Sequence, residues 1–199
     1  GAKRLGATIA REITKAGFTP IDHNSTSKEE AEALAIELKG AAISADLADT
    51  ENVVGLIKEA SKTIGAPLQG LINNASLFVQ DRPESVEADG LEQPLKVNLM
   101  SPVLLGRTFA EQLPHDADGV IVNLIDQKLW NPHPDFFSYT LSKAGLETAT
   151  GLMARAFAPR VRVMGVAPGY CLPAPGQPEA DFLNKAASVN ALQKRLVPQ

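Results

Sequence analysis

Ser138-Tyr139-Thr140-Leu141-Ser142-Lys143-Ala144 opens a helical pattern that runs to about Ala158 and stops at Pro159. It sets Tyr139 and Lys143 four residues apart, one above the other on the same helix face. A phenol titrates near pH ~10 and is a poor proton-transfer group at neutral pH, whereas a cation held beside it favours the phenolate. The two side chains are therefore candidates for one proton-transfer device, with Lys143 expected to lower the Tyr139 pKa. Chance also puts this spacing on helices, so its meaning rests on what surrounds it.

Upstream of this helix, Val120 to Ile125 is a continuous apolar run, the form of a strand buried on both faces. A loop rich in proline and aromatic residues, Asp126 to Phe137, joins the two. Downstream, Val161 to Val166 reads as a further strand ending at Ala167-Pro168-Gly169. The same alternation extends to the N-terminus. Leu5, Ile9 and Ile13 give an amphipathic helix within residues 1–16, and Phe18 to His23 is a weak strand compromised by Pro20. Ser27 and Glu30 fit a capping box for a helix from about Lys28 to Lys39. A short strand at Ala41 to Ser44 precedes a helix from about Thr50 to Ile64, stopped by Gly65-Ala66-Pro67. Leu68 to Ile72 is the next strand, and Gln80 to Ala88 a surface excursion. Leu91 to Leu113 is helical in pattern, with an early turn at Pro94 and a kink expected at Pro102. A short helix is expected from Glu179 to about Ala187. Strands alternating with helices imply a parallel α/β sheet covered on both faces.

The 199 residues are 44% hydrophobic and 21% charged, an ordinary globular composition with enough chain for one domain, residues 1–199. A formal charge of −4 gives no electrostatic footprint for nucleic acid. Neither a signal-peptide core nor an apolar run of membrane-spanning length stands out, so a cytoplasmic protein with no membrane partner is expected. One cysteine, Cys171, excludes an intrachain disulfide and a cysteine metal cluster, and His23, His115 and His133 are scattered, so no metal site is expected.

In an open parallel sheet, ligands bind beyond the carboxyl ends of the strands. Those ends present the Gly1 to Gly6 loop, Asp22 to Ser25, Ala45-Asp46-Leu47, Asn73 to Ser76, Asp126, and Pro168-Gly169. The helix N-terminus after the first loop suits a pyrophosphate.

Taken together, these residues resemble a short-chain dehydrogenase/reductase, a family whose Rossmann-type fold binds NAD(P) and whose helix carries the Y-x-x-x-K pair. The resemblance covers nearly the whole chain in the expected order. It implies a doubly wound parallel sheet, and it also implies a first and a last strand that the given sequence does not contain. It assigns Asp46 and Leu47 to the adenine region, Asn74 and Ala75 to the cofactor after the fourth strand of the family, Asn98 to a water linking Lys143 to solvent, and Pro168-Gly169 to the nicotinamide.

Three departures narrow the subfamily. Lys3-Arg4-Leu5-Gly6 resembles the K-R-[IL]-G loop of pteridine reductases. Ser76 and Phe78 follow Asn74-Ala75 in their N-N-A-S-x-F pattern, in which the serine meets the cofactor and the phenylalanine stacks on the pterin. Asp126 stands 13 residues before Tyr139 where most members have a catalytic serine. Residues Ala180 to Lys185 are also similar to the substrate-side segment of dihydromonapterin reductases. The resemblance thus implies hydride transfer to a pteridine-like C=N bond, with proton transfer by Tyr139, Lys143 and Asp126. A carbonyl reductase acting on a keto substrate stays open, with Trp130, Pro132, Pro134 and Phe136 shaping its pocket, as does a dinucleotide-binding pseudoenzyme.

NADP(H) is favoured over NAD(H), since Arg4, Asn24, Ser25 and Thr26 suit a 2′-phosphate, while Asp22 counts against it if it lies at the strand tip; His23 beside them is a further cofactor-binding candidate. The family commonly associates through its two long helices, here Leu91 to Leu113 and Ser138 to Ala158, so a homotetramer or homodimer is expected.

Overall fold

The computed structural model describes residues 1–173 and 176–189. The expected tail beyond residue 189 lies outside them. Five parallel strands alternate with helices: α1 (Arg4–Lys15), β1 (Ile21–Asn24), α2 (Lys28–Leu38), β2 (Ala41–Ser44), α3 (Thr50–Ile64) and β3 (Gly70–Asn73) come first. They are followed by α4 (Ala88–Leu95), α5 (Ser101–Gln112), β4 (Gly119–Leu124), α6 (Phe137–Phe157), β5 (Val161–Val166) and α7 (Glu179–Val189). This is the Rossmann-like α/β architecture. Its strands form two hydrogen-bonded groups, β1 with β2 and β3-β4-β5, and β1 does not pair with β3.

One apolar core joins the two groups. Ile43 and Leu47 from the β2 side, Val53, Leu56 and Ile57 of α3, Leu105 and Phe109 of α5, Ile121 of β4 and Val161 of β5 are all buried in it. Removing such side chains from water is the main favourable term in folding. Asp49 caps α3 by accepting from the Asn52 amide at 3.2 Å, and Gly65 ends that helix at φ +74°, a backbone region in which glycine is unstrained.

Two local expectations are corrected. The Ser27 side chain makes no cap hydrogen bond, and the Glu30 carboxylate turns to Lys3, 2.5 Å away, so neither half of the reciprocal box forms. The long helix from residue 88 to 112 is interrupted before Pro102, not at it. Pro94 lies inside α4, where it has no N–H to give the preceding turn, and the next turn widens into a π-helical segment, Lys96–Met100. Pro102 falls in the first turn of α5. The wide turn faces both Val97 and Asn98 into the protein, and α6 packs closely on it: a Cβ at Gly145 would lie 2.7 Å from Leu99.

Candidate active site

The buried stripe of α6 runs through Ser138, Tyr139, Ser142, Lys143, Leu146, Thr150 and Met153, so the helix turns its polar chemistry inward along with its apolar contacts. Tyr139 lies across from the end of β4. Its hydroxyl donates to Asp126 Oδ2 at 2.5 Å, while Asp126 Oδ1 accepts the Lys128 amide at 2.8 Å and so caps a 3₁₀ turn, Gln127–Trp130. The carboxylate is thereby fixed by the turn on one side and engaged by the phenol on the other.

Lys143 is 2% exposed, and its Nζ donates to the Leu124 carbonyl at 2.6 Å and lies 5.8 Å from the Tyr139 ring centroid. Burial lowers its pKa to about 8, against a smaller raising effect from Asp126. Tyr139 moves the other way. Burial above all, then the charge of Asp126 and the hydrogen bond to it, pushes the phenol well above its ordinary value. This corrects the expectation that Lys143 lowers the Tyr139 pKa: burial and the nearer anion dominate, and the phenol is held in its neutral form.

Asn98 reaches the same region from the π segment and is fully buried. Its Oδ1 accepts the Leu77 amide at 2.7 Å, and its Nδ2 donates to the Leu77 carbonyl and the Ser142 hydroxyl, both at 2.9 Å. The side chain expected to hold a water is thus engaged by the protein, fixing the segment that carries Phe78. Phe78 remains 51% exposed; its ring is T-shaped against Tyr139 at a centroid distance of 4.7 Å and stacked on Phe136 at 4.0 Å. Phe136 is held at φ +54°, a conformation that costs a side-chain-bearing residue ~1–2 kcal/mol.

Residues 1–181 match the family described as short chain dehydrogenase. The chain belongs to the short-chain dehydrogenase family. This short-chain dehydrogenase is 29% identical over 177 residues to the 3-oxoacyl-(acyl-carrier-protein) reductase FabG of Staphylococcus aureus, a match covering 85% of this chain and 72% of the relative. It is 31% identical over 176 residues to 3beta-hydroxysteroid dehydrogenase 1 of Eggerthella lenta, covering 84% and 67%. It also superimposes on FolM alternative dihydrofolate reductase 1 from Brucella canis, solved with NADP, with a TM-score of 0.94 and 38% identity over 99% of this chain and 79% of that one. The protein is an oxidoreductase of the short-chain dehydrogenase type, and a dinucleotide is its class of cofactor.

The strand ends of this dehydrogenase fit a dinucleotide unevenly. No side chain caps α1, so the amides of its first turn are left for an anion, and Gly6 packs so closely on the Gly1 backbone that no Cβ fits. Arg4 and Leu5 open this helix, and the Arg4 guanidinium also donates to the Pro173 carbonyl at 2.6 Å. Ser25 and Thr26 are exposed just past β1, and His23 makes a 2.9 Å hydrogen bond to the Ala45 carbonyl. Asn24 is different. Its amide is engaged in the β1–β2 seam, donating to the Ile43 carbonyl and accepting from Ser44, so it does not face a phosphate as expected. Asp22 is the second residue of β1 and buried, away from the strand tip.

Asp46 caps the Ala48 amide at 2.9 Å beside Leu47, whose side chain belongs to the core. Asn74, Ala75 and the exposed Ser76 follow β3, and Pro168 and Gly169 follow β5, with the Gln127 amide on the Pro168 carbonyl. Trp130 is not brought to Tyr139. It is 67% exposed and lines an open cavity with Leu129, Pro132, Thr140, Ala144 and Glu147, on a strip of α6 one residue, or about 100°, round from Tyr139 and Lys143.

Two features carried no signal in the sequence. Asn73, Asn123 and Thr150 form a buried relay of 2.8 and 2.9 Å hydrogen bonds that ties β3 to β4 and α6. Asp81 caps α6 across the loop, accepting from the Ser138 amide at 3.2 Å. Both link residues far apart in the chain, where local patterns are silent.

Proposed function

We propose that this dehydrogenase uses NADP(H) to reduce a C=N bond of a flat, pteridine-like ring, with Tyr139, Lys143 and Asp126 handling the proton. The observation that carries this reading is the 2.5 Å bond between Tyr139 and Asp126, with the half-exposed Phe78 ring edge-to-face with that same tyrosine. An aspartate replaces the usual serine, and an aromatic surface lies beside the proton donor, which suits a planar substrate that needs protonation at nitrogen. The likeness to the Brucella FolM reductase supports the same substrate class.

NADPH supplies the hydride when bound, and the residues suited to hold it are Arg4, Leu5 and Gly6, His23, Ser25, Asp46, Asn74, Ala75, Ser76, Lys143, Pro168 and Gly169. Tyr139 is neutral at working pH and serves as the proton donor to the ring nitrogen. Its one hydroxyl hydrogen points at Asp126 in the state described, so delivery to substrate requires the phenol to turn from Asp126, which orients it, towards the ring nitrogen. After transfer, solvent restores the proton of the phenol oxygen, which then donates to Asp126 again. Lys143 in its protonated form stabilises negative charge developing on the phenol oxygen. NADP is favoured over NAD because Asp22 is withdrawn from the β1 tip, leaving hydroxyls and Arg4 in a region where an acidic residue would repel a 2′-phosphate.

The names of the FabG and hydroxysteroid dehydrogenase relatives favour a second reading, reduction of a keto group. Steady-state assays with NADPH against a dihydropteridine and a panel of ketones separate the two. The proposal expects kcat/KM for the dihydropteridine to be at least tenfold higher; ketone turnover without pteridine turnover overturns it.

A further inference from the structure

The segment from Leu77 to Asp81 is held at both ends. At one end, Asn98 brackets Leu77 through both its amide and its carbonyl. At the other, the Asp81 carboxylate accepts the Ser138 amide at 3.2 and 3.3 Å, and the Asp81 carbonyl accepts the Phe137 amide at 3.5 Å. These are first-turn donors of α6, which have no partner within the helix, and a carboxylate there also meets the positive end of the helix dipole. Between the two anchors stands Phe78.

A second contact joins the same two elements. Phe136, the residue before α6, stacks on Phe78 with centroids 4.0 Å apart and planes 13° from parallel. Its carbonyl accepts the Thr140 hydroxyl at 2.7 Å and the Thr140 amide at 2.9 Å, and Lys128, paired with Asp135 at 2.8 Å, lies 6.0 Å from its ring centroid. The positive φ of Phe136 is a conformation that a bulky residue keeps only when its surroundings impose it. Here the imposed result is a ring laid flat on one face of Phe78.

We propose that Asp81 and Phe136 form a two-point clasp between the loop after β3 and the start of α6, which sets the plane of the Phe78 ring relative to Tyr139 and so decides how a flat substrate is received. Both are positioning residues acting through Phe78, and the inference rests on the reading of Phe78 as the substrate platform. Because one face of Phe78 is covered by Phe136, only its remaining exposed surface meets a ligand. Loss of the clasp lets that ring tilt. It leaves the Tyr139 and Asp126 hydrogen bond in place.

The test uses Phe136→Gly, Phe136→Tyr, Asp81→Ala and Asp81→Asn, with the dihydropteridine or the ketone that the wild-type enzyme turns over. Glycine adopts positive φ without strain, so Phe136→Gly folds with unchanged or raised Tm while deleting the stack. The clasp predicts that Phe136→Gly and Asp81→Ala raise KM for that substrate about tenfold, with kcat changed less than threefold and KM for NADPH unchanged. Phe136→Tyr and Asp81→Asn, which keep a stacking ring and an acceptor, restore it. Unchanged substrate KM in Phe136→Gly overturns the clasp even if the pteridine reading holds. If the wild-type enzyme turns over neither substrate, the proposed function fails, and amide exchange judges the clasp alone: faster exchange at Leu77 in Phe136→Gly upholds it, and unchanged exchange overturns it.

Discussion

Lys143 and Tyr139 sit on one face of α6, as their spacing requires, yet they titrate in opposite directions from what a pairwise reading gives. Burial acts on both, favouring neutral lysine and neutral phenol, and Asp126 reinforces the second effect while opposing the first. A lysine with a pKa of about 8 loses its charge just above physiological pH. The kcat/KM for reduction is therefore expected to fall as pH rises through about 8, and a profile flat to pH 10 would show that the Lys143 charge has no part in the step. Replacing Tyr139 by phenylalanine removes the proton donor and leaves the ring against Phe78, so kcat is expected to drop ~10²–10⁴-fold with little change in NADPH binding. Stopped-flow single turnovers would check this. The identity of the pair was legible in the sequence because helix geometry fixes an i, i+4 relation. Its electrostatics were not, because they depend on depth and on an aspartate brought in from another element.

At the scale of elements, the strands and helices were legible wherever periodicity or punctuation is local. The runs at β4 and β5, and the stop at Gly65, are of this kind. The break in the long helix was misplaced, since a π segment depends on which residues must face inward, and no motif marks that. Asn98 shows what the wide turn achieves: three hydrogen bonds from one buried side chain hold the Phe78 segment and α6 together. Asn98→Ala leaves the Leu77 groups and the Ser142 hydroxyl short of partners and is expected to lower stability by ~3 kcal/mol, measured by urea denaturation. A loss below about 0.5 kcal/mol would show that these bonds are replaced by water at no cost. The Asn73–Asn123–Thr150 relay was hidden from the sequence for the same reason that Asp81 was: partners 50 and 27 residues apart leave no periodic trace.

For the whole molecule, the shift at Lys143 links its proton to folding. Its folded pKa lies below the value near 10.4 of an unfolded lysine, so between about pH 8 and 10 the unfolded chain holds more protons and stability contributed by this site rises with pH. Above pH ~10 the raised Tyr139 acts in the opposite sense, because the folded phenol keeps its proton after the unfolded one has lost it. The difference in unfolding free energy between the wild-type protein and Lys143→Met is therefore expected to move in favour of the wild-type protein from pH 8 to 10, by up to ~3 kcal/mol; a pH-independent difference would contradict the shift. On the outer faces of the two long helical stretches, Met100, Leu141 and Leu152 are 43%, 43% and 62% exposed, and the homo-oligomer expected from the sequence would cover them. Sedimentation showing a dimer or tetramer that Leu152→Glu dissociates would support it. The most direct measurement of the whole reading is label transfer: the enzyme is supplied with NADPH carrying deuterium in the transferred position and a dihydropteridine, and the reduced ring is analysed by mass spectrometry. One deuterium per reduced ring, with the labelled product formed more slowly in Asp126→Ala, is the predicted result, whereas an unlabelled pteridine alongside labelled alcohol from a ketone would contradict it.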